Sequence, residues 1–398
     1  MGTPSARPDV LVRHLSLRDF RNYDSAELPL HAGANLFVGS NGQGKTNLVE
    51  ALGYLSTLGS HRVSVDHAMV RQGQESAIIR ARVENGEKTI LLEVQLNRTG
   101  PNRAQANRSV IKPRELPRYF SSVLFAPEDI TLVRGEPTGR RKFLDELLVV
   151  RSPRMSAVMT DYERVLKQRN SLLKSARTSS SPQLATLDIW DDRLVALGSE
   201  IIEARSTLVA VLAPEVASAY ASVAGADHSA SLSSHLSIRA VSSDDEAEPD
   251  DAAMLGERIT AELAAEGFRA ALARLRRAEL ARGVTLVGPH RDDLVLHLNG
   301  LPARGYASHG ESWSLALALK LASAQLLRRE SSAGDPVLVL DDVFAELDQS
   351  RRDRLATAVR DFEQVLITAA VLDDVPPSLL GRVVHISAGR ILDNEAGE

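Results

Sequence analysis

The chain has 398 residues, more than one hydrophobic core ordinarily serves, so two or more lobes are expected. Its 43% hydrophobic and 25% charged residues are ordinary for a globular protein, and the formal net charge of −5 requires any basic surface to be local. The absence of cysteine excludes disulfides, thiolate zinc sites and thiol nucleophiles, and fits a reducing compartment.

In chain order, "MGTPSARPDV" carries no apolar signal core, and Ala6 stands where a myristoylation pattern wants Ser or Thr. "VLVRHLSL" alternates as a strand does, and "ANLFVG" is a short apolar strand. "NLVEALGYLSTLG" has helical spacing, with Leu48, Leu52 and Leu55 on one face. "SAIIRARVENGEKTILLEVQLNRTG" predicts a hairpin whose "ENGE" turn puts Asn-Gly at the two central positions. From about Gly139 to Leu280 the periodicity turns helical, broken by "SARTSSSPQ" and by "SSDDEAEPDDAA", with six acids between Asp244 and Asp251. That acidic run reads as a solvated loop. No span of about 18 apolar residues occurs. The best candidate, "TLVAVLAPEVASAYASVAGA", is interrupted by Pro214 and Glu215, so a soluble cytoplasmic protein without a membrane partner is expected.

The last third alternates again: "VTLVGPH", a helix from Glu311 to Arg329, "PVLVLDDVF", a helix, "QVLITAA" and "VVHIS". Such β-α-β-α-β order implies parallel strands. The expected fold is an α/β head of residues 1–125 and 281–398, a mixed sheet with flanking helices, carrying an inserted, mainly helical lobe of residues 126–280.

Three motifs carry chemistry. Gly39, Ser40, Asn41, Gly42, Gln43, Gly44, Lys45 and Thr46 fit G-x-x-x-x-G-K-[ST] between a strand and a helix, the setting of a phosphate loop. Backbone N–H groups and the helix dipole would cradle phosphates, Lys45 would add charge, and Thr46 would ligate Mg²⁺. No Asn-Lys-x-Asp base-reading motif for GTP is present. Next, "PVLVLDDVFAELD" ends a strand in Asp341 and Asp342. Asp341 is placed to hold Mg²⁺. Asp342 can orient a water only if the strand end curls, because successive strand residues point to opposite sides. The pair also reads as turn or capping residues. Last, Ser308-His-Gly-Glu311 is a capping box ahead of a strong helix. It reads as an N-cap, or as a second anion site in which Ser308 and Gly310 close over a nucleotide held by another molecule.

The sequence resembles the RecF family of recombination mediators, relatives of the ABC-type ATPase heads of SMC and Rad50. The resemblance covers nearly the whole chain, through "LSLRDFRNY", "GSNGQGKT", "SHR", "PEDITLVRGEPTGRRKFLD", "GPHRDDL", the Ser308 motif and "LDDVFAELD". It implies an ATP-dependent homodimer with Ser308, Gly310, Glu311 and Asp348 acting across the dimer, Arg21 and Asn22 near the nucleotide, and Arg62 near the phosphates. It also implies binding of double-stranded and gapped DNA, with RecO and RecR as partners in loading RecA during repair, replication restart and the SOS response. Asp342 is one methylene shorter than the Glu common at this place in related ATPases, which predicts slow hydrolysis acting as a timer. Glu136 and His309 depart from the family pattern, Thr368 stands where ABC transporters have a histidine, and Glu128 falls where other heads have a glutamine loop.

Duplex binding needs clustered Lys and Arg. Arg103, Arg108, Lys112, Arg114 and Arg118 form one cluster, Arg140, Arg141 and Lys142 a second, and Arg164, Lys167, Arg169 and Lys174 a third. At 4%, aromatics are too sparse for single-strand stacking to dominate. Two other readings are weighed: a transporter-type ATPase subunit, and a DNA clamp whose hydrolysis is vestigial.

Overall fold

The computed structural model describes residues 10–178, 185–225, 228–239, 258–331 and 334–392. The first nine residues, the end of the Ser-rich loop and the acidic run lie outside them. Chain contacts divide the molecule into two units. The first draws on Met1–Asp129, Ala221–Ala226 and Ala316–Glu398, the second on Ile130–Tyr220 and Asp227–Leu315.

The first unit contains β1 (Val10–Phe20), β2 (Tyr23–Pro29), β3 (Gly33–Val38), α1 (Lys45–Thr57), β4 (Ser76–Asn85), β5 (Lys88–Asn97), β6 (Arg103–Ala106), β7 (Ser109–Ile111) and β8 (Ser122–Phe125). The second contributes α2 (Ile130–Arg134), α3 (Pro137–Arg151), α4 (Met155–Thr178), α5 (Ala185–Ala224), β9 (Ala230–His235), α6 (Ala261–Arg282), β10 (Asp293–Leu298), β11 (Leu301–Pro302), α7 (Ala303–Tyr306) and the start of α8 (His309–Glu330). The chain ends in the first unit with β12 (Val337–Asp341), α9 (Gln349–Val359), β13 (Gln364–Ala369), β14 (Arg382–Ser387) and β15 (Arg390–Leu392).

Strands β2-β1-β4-β5-β6-β7 form an antiparallel sheet, and β15-β14-β3-β13-β12-β8 form a second sheet, parallel except for β15. The second sheet joins both ends of the sequence, as the alternating pattern requires: β3 lies between β14 and β13. Its inner strands β12 and β13 are buried at every residue, as strands covered on both faces are. Between the sheets, Leu48, Leu52 and Leu55 of α1 are fully buried with Leu15, Leu17, Val337 and Leu366. A buried Gln364 side chain joins the sheets. Its amide donates to the Val12 and His31 carbonyls at 2.9 Å and accepts from Val12 N at 2.8 Å.

Four readings are corrected. The β4–β5 loop is Gly86-Glu87, because Asn85 pairs with Lys88; only Gly86, at φ 57°, has positive φ. "VTLVGPH" is no strand: Val287 is fully buried among Phe268 and Tyr162, so its apolar character reports a packed loop. The strand that follows, β10, pairs antiparallel with β9 and β11 in the second unit, and the chain rejoins the first unit at Ala316 rather than near 281. Finally, Pro214 lies inside α5 without ending it. By length and composition Thr186–Ala224 would be long and apolar enough to cross a membrane. Its Leu194, Val195, Ile201, Ile202, Leu208 and Leu212 are buried in the chain.

Candidate active site

The phosphate loop leaves the carboxyl end of β3 and enters α1 at Lys45. Gly44 sits at φ 114° with Asn22 and the Tyr23 hydroxyl where a Cβ would be, at 2.8–2.9 Å. Gly39 is excluded from bearing a side chain differently, since the Ile386 carbonyl oxygen would be 2.2 Å from its Cβ. Contacts hold the bend without a ligand. Tyr23 donates to Gly44 O at 3.1 Å, Asn22 Nδ2 to Gln43 O at 3.1 Å, and Gly389 N to Gln43 O at 2.9 Å. Lys45 Nζ folds onto the loop, donating to the carbonyls of Gly39 at 2.6 Å and Ser40 at 3.2 Å. Burial lowers its pKa, opposed by the charges of Asp342 and Asp341.

Asp341 ends β12, and in register beside it lies Thr368 of β13, the strand between β12 and β3. Asp341 Oδ1 accepts from Thr368 Oγ1 at 2.6 Å and from Thr46 Oγ1 at 3.0 Å. Burial raises its pKa to about 6 against those hydrogen bonds, with Asp342 and Glu128 adding to the rise. The chain then turns: Asp342 is left-handed at φ 55° and donates its N–H to Thr368 Oγ1 at 2.9 Å. Asp tolerates this region better than most residues. The curl that Asp342 needs is therefore present.

Thr46 and Asp341 offer a hydroxyl and a carboxylate. Among the described residues no group of three or more His, Cys, Asp or Glu could hold a metal. A few hard oxygens completed by phosphate and water suit Mg²⁺ and do not suit zinc.

A second network flanks the loop. Glu50, fully buried on α1, accepts from Arg21 Nε at 2.8 Å and Nη2 at 2.5 Å and from the Ser60 hydroxyl. Burial alone would raise its pKa; the Arg21 and Ser60 hydrogen bonds and the Arg62 charge bring it below the usual value. Arg62 Nη1 donates to Asn47 Oδ1 at 2.8 Å, and Asn47 Nδ2 to Asn22 Oδ1 at 2.7 Å. Arg21, Asn22 and Arg62 thus meet beside the loop, where with Asn47, His67 and Arg98 they line an open cavity of about 440 Å³. Sequence reasoning missed Glu50, Ser60 and Asn47 and gave Thr368 no role. The one available signal was a single acid inside the apolar run of α1.

In the second unit, Ser308 N donates to Glu311 Oε2 at 2.8 Å and Glu311 N to Ser308 Oγ at 3.3 Å, so both arms of the capping box form. Ser308 and His309 are exposed at the start of α8 and Gly310 is half-buried. Glu136 accepts from Arg304 at 2.6 Å. Asp348, in the first unit, is the N-cap of α9, accepting from Arg351 N at 2.9 Å.

The basic clusters separate. Arg103, Arg108, Lys112, Arg114 and Arg118 are exposed on β6, the β6–β7 turn, and the 3-10 turn Pro113–Arg118 with its N-cap Lys112, and no side-chain ion pair holds them among the described residues. Arg140 is only 3% exposed, forked onto Asp293 at 2.7–2.8 Å and bonded to the carbonyls of Leu132 and Gly135. It is out of reach of DNA. Arg141 donates to Asp292 O at 2.8 Å and Thr138 at 3.0 Å. Arg169 is fully buried, bonded to Asp191, Glu279 and Thr285. Arg205 forks onto Asp145 at 2.8 Å and reaches Pro289 O at 2.6 Å. The stretches "TGRRKFLD" and "GPHRDDL" therefore serve in large part to bind the second unit together.

The profile of the RecF/RecN/SMC N-terminal domain family matches residues 11–374. The chain is 63% identical over 394 residues, 97% of each sequence, to the DNA replication and repair protein RecF of Clavibacter michiganensis subsp. michiganensis. It superposes on a solved RecF–ATP structure of the RecFOR pathway with a TM-score of 0.86 and 27% identity, covering 98% of this chain and 99% of that one. An Smc head domain from Pyrococcus furiosus, at 14% identity and a TM-score of 0.53 over 96% and 95% of the two chains, shares the fold.

Proposed function

The chain belongs to the RecF family of DNA replication and repair proteins, with an ABC-type ATPase fold, and from that premise we propose that it binds ATP and Mg²⁺ in the first unit and thereby pairs with a second copy on duplex or gapped DNA. Each nucleotide lies between Gly39–Thr46 of one copy and the Ser308–Glu311 helix start of the other, with Asp348 reaching across. With RecO and RecR the loaded dimer promotes RecA loading in repair, replication restart and SOS induction. The observation that carries the reading is the assembly of Thr46, Asp341 and Thr368 beside a preformed phosphate loop, with Thr46 and Asp341 drawn together across 295 residues.

Lys45 would add its charge to the outer phosphates, and Thr46 and Asp341 would hold the metal, which would supply neutralisation of phosphate charge. Arg21 and Asn22 would lie near the nucleotide, and Arg62 near its phosphates. Asp342, turned out of the strand, orients the attacking water. Its short arm holds that water loosely, so ATPase activity is weak, DNA-stimulated, and acts as a release timer. The exposed β6–β7 hairpin with Arg103 and Arg108, and the turn after it with Lys112 and Arg114, supply phosphate contacts to duplex. Action in the cytoplasm, where the DNA is, belongs to the same reading.

Light scattering with ADP, ATP and a non-hydrolysable analogue, with and without gapped duplex, tests it. Monomers with ADP and dimers with ATP are expected, and Asp342→Asn should hold the ATP dimer on DNA. A monomer under every nucleotide condition overturns the reading. An Asp342→Asn chain indistinguishable from wild type replaces the timer with a clamp whose hydrolysis is vestigial.

A further inference from the structure

Beside the metal carboxylate lies an imidazole to which no role has been given. His61 Nε2 is shut off from solvent and makes no hydrogen bond, and it lies 3.9 Å from Asp341 Oδ2. That is too far for a direct bond and within the span of one bridging water. A buried nitrogen without a partner is costly to keep, so its persistence asks for a ligand that the bare chain does not supply.

The orientation is imposed from both sides. Ser60 Oγ accepts from the N–H groups of Arg62 at 2.9 Å and Val63 at 3.2 Å while donating to Glu50, which pins the backbone around His61. Arg62 is drawn to Asn47 and Glu50 on α1. The Ser60 and Arg62 side chains therefore both turn to α1, while the His61 ring meets the end of β12. The charged groups facing it are Glu50, Glu128, Arg62, Lys320 and Asp341. Asp341 Oδ1 is already occupied by two hydroxyls, and Oδ2 is the oxygen nearest His61.

We propose that His61 is a positioning residue of the nucleotide site, whose Nε2 shares a water with Asp341 Oδ2 and so fixes that carboxylate for Mg²⁺. The inference rests on the ATP-site reading above and adds a residue to it. Outer-shell partners of this kind alter metal affinity by about 10- to 100-fold.

The test is binding of a fluorescent ATP analogue to the full chain, titrated with Mg²⁺ and repeated in EDTA, for wild type, His61→Gln and His61→Leu. His61→Leu should raise the Mg²⁺ concentration for half-saturation about tenfold or more. It should leave EDTA binding and the melting temperature of the nucleotide-free chain no lower than wild type, with His61→Gln recovering part of the Mg²⁺ response. An unshifted Mg²⁺ titration overturns the inference. So does an equal loss in EDTA, which marks a packing role. A wild-type chain that binds no analogue in either condition overturns the site reading itself.

Discussion

Arg62 of the first unit and three arginines of the second do opposite work. At the phosphate loop, Arg62 is 39% exposed in its side chain and borders an open cavity, held by an asparagine and a distant carboxylate. In the second unit, Arg140, Arg169 and Arg205 have their guanidinium groups taken up by carboxylates, carbonyls and a hydroxyl of the same unit. The sequence alone makes these residues equivalent, and Arg140 and Arg169 read as contacts to nucleic acid. What separates them is whether the counter-charge comes from within the fold, and only long-range contacts decide that.

The comparison can be broken most forcefully at Arg169. Arg169→Ala leaves Glu279 buried without its cation, and a loss of about 3–5 kcal/mol is expected in denaturant unfolding. If the units divide their labour as described, ATP affinity measured on the folded fraction stays unchanged.

Thr368→Val works in reverse. It removes the hydroxyl between Asp341 and the Asp342 backbone, and Mg²⁺-dependent ATP binding should weaken about 10- to 100-fold with a smaller loss of stability. Equal losses in Mg²⁺ and in EDTA would show that Thr368 serves the fold more than the metal.

A pH series sharpens the contrast within the second unit. His290 Nε2 faces the Thr285 carbonyl at 3.3 Å, which only accepts, so Nδ1 accepts from the Tyr162 hydroxyl at 2.8 Å. Burial, with the nearby arginine charges, pushes its pKa down to about 4. Unfolded, it would titrate near 6.5, so between those values the unfolded chain binds the extra proton. Stability should fall as pH drops from about 6.5 toward 4, and His290→Gln should flatten that slope in melting temperature against pH.

The smallest effects on the fold are expected at the exposed hairpin. Arg103→Ala and Arg108→Ala should stay within about 0.5 kcal/mol of wild-type stability. Each should lower the slope of log affinity against log salt for duplex by about 0.9 per lost phosphate contact. Arg140→Ala should do the opposite, costing stability with the slope unchanged.

The parts of this site that were legible share one property: their meaning is local. Gly39–Thr46, the apolar run into Asp341 and the Ser308–Glu311 box each specify a shape within a few residues, and each forms. The parallel sheet was legible because buried strands write themselves as unbroken apolar runs. Thr368, Glu50 and Ser60 were not. A threonine ending β13 becomes a support for a carboxylate only because β13 pairs with β12. The same limit explains "VTLVGPH", where an apolar run signals burial and strand or loop depends on what buries it.

The Gln364 amide has a consequence for how the first unit comes apart. Where one sheet ordinarily ends and another begins, a side chain here imitates a ladder rung, pairing with both polar atoms of the Val12 main chain. Peeling the antiparallel layer from the parallel one would strand several buried hydrogen-bonding groups at once. The two layers should therefore melt together as one cooperative block, and amide exchange in β1 should report the same opening free energy as exchange in β13.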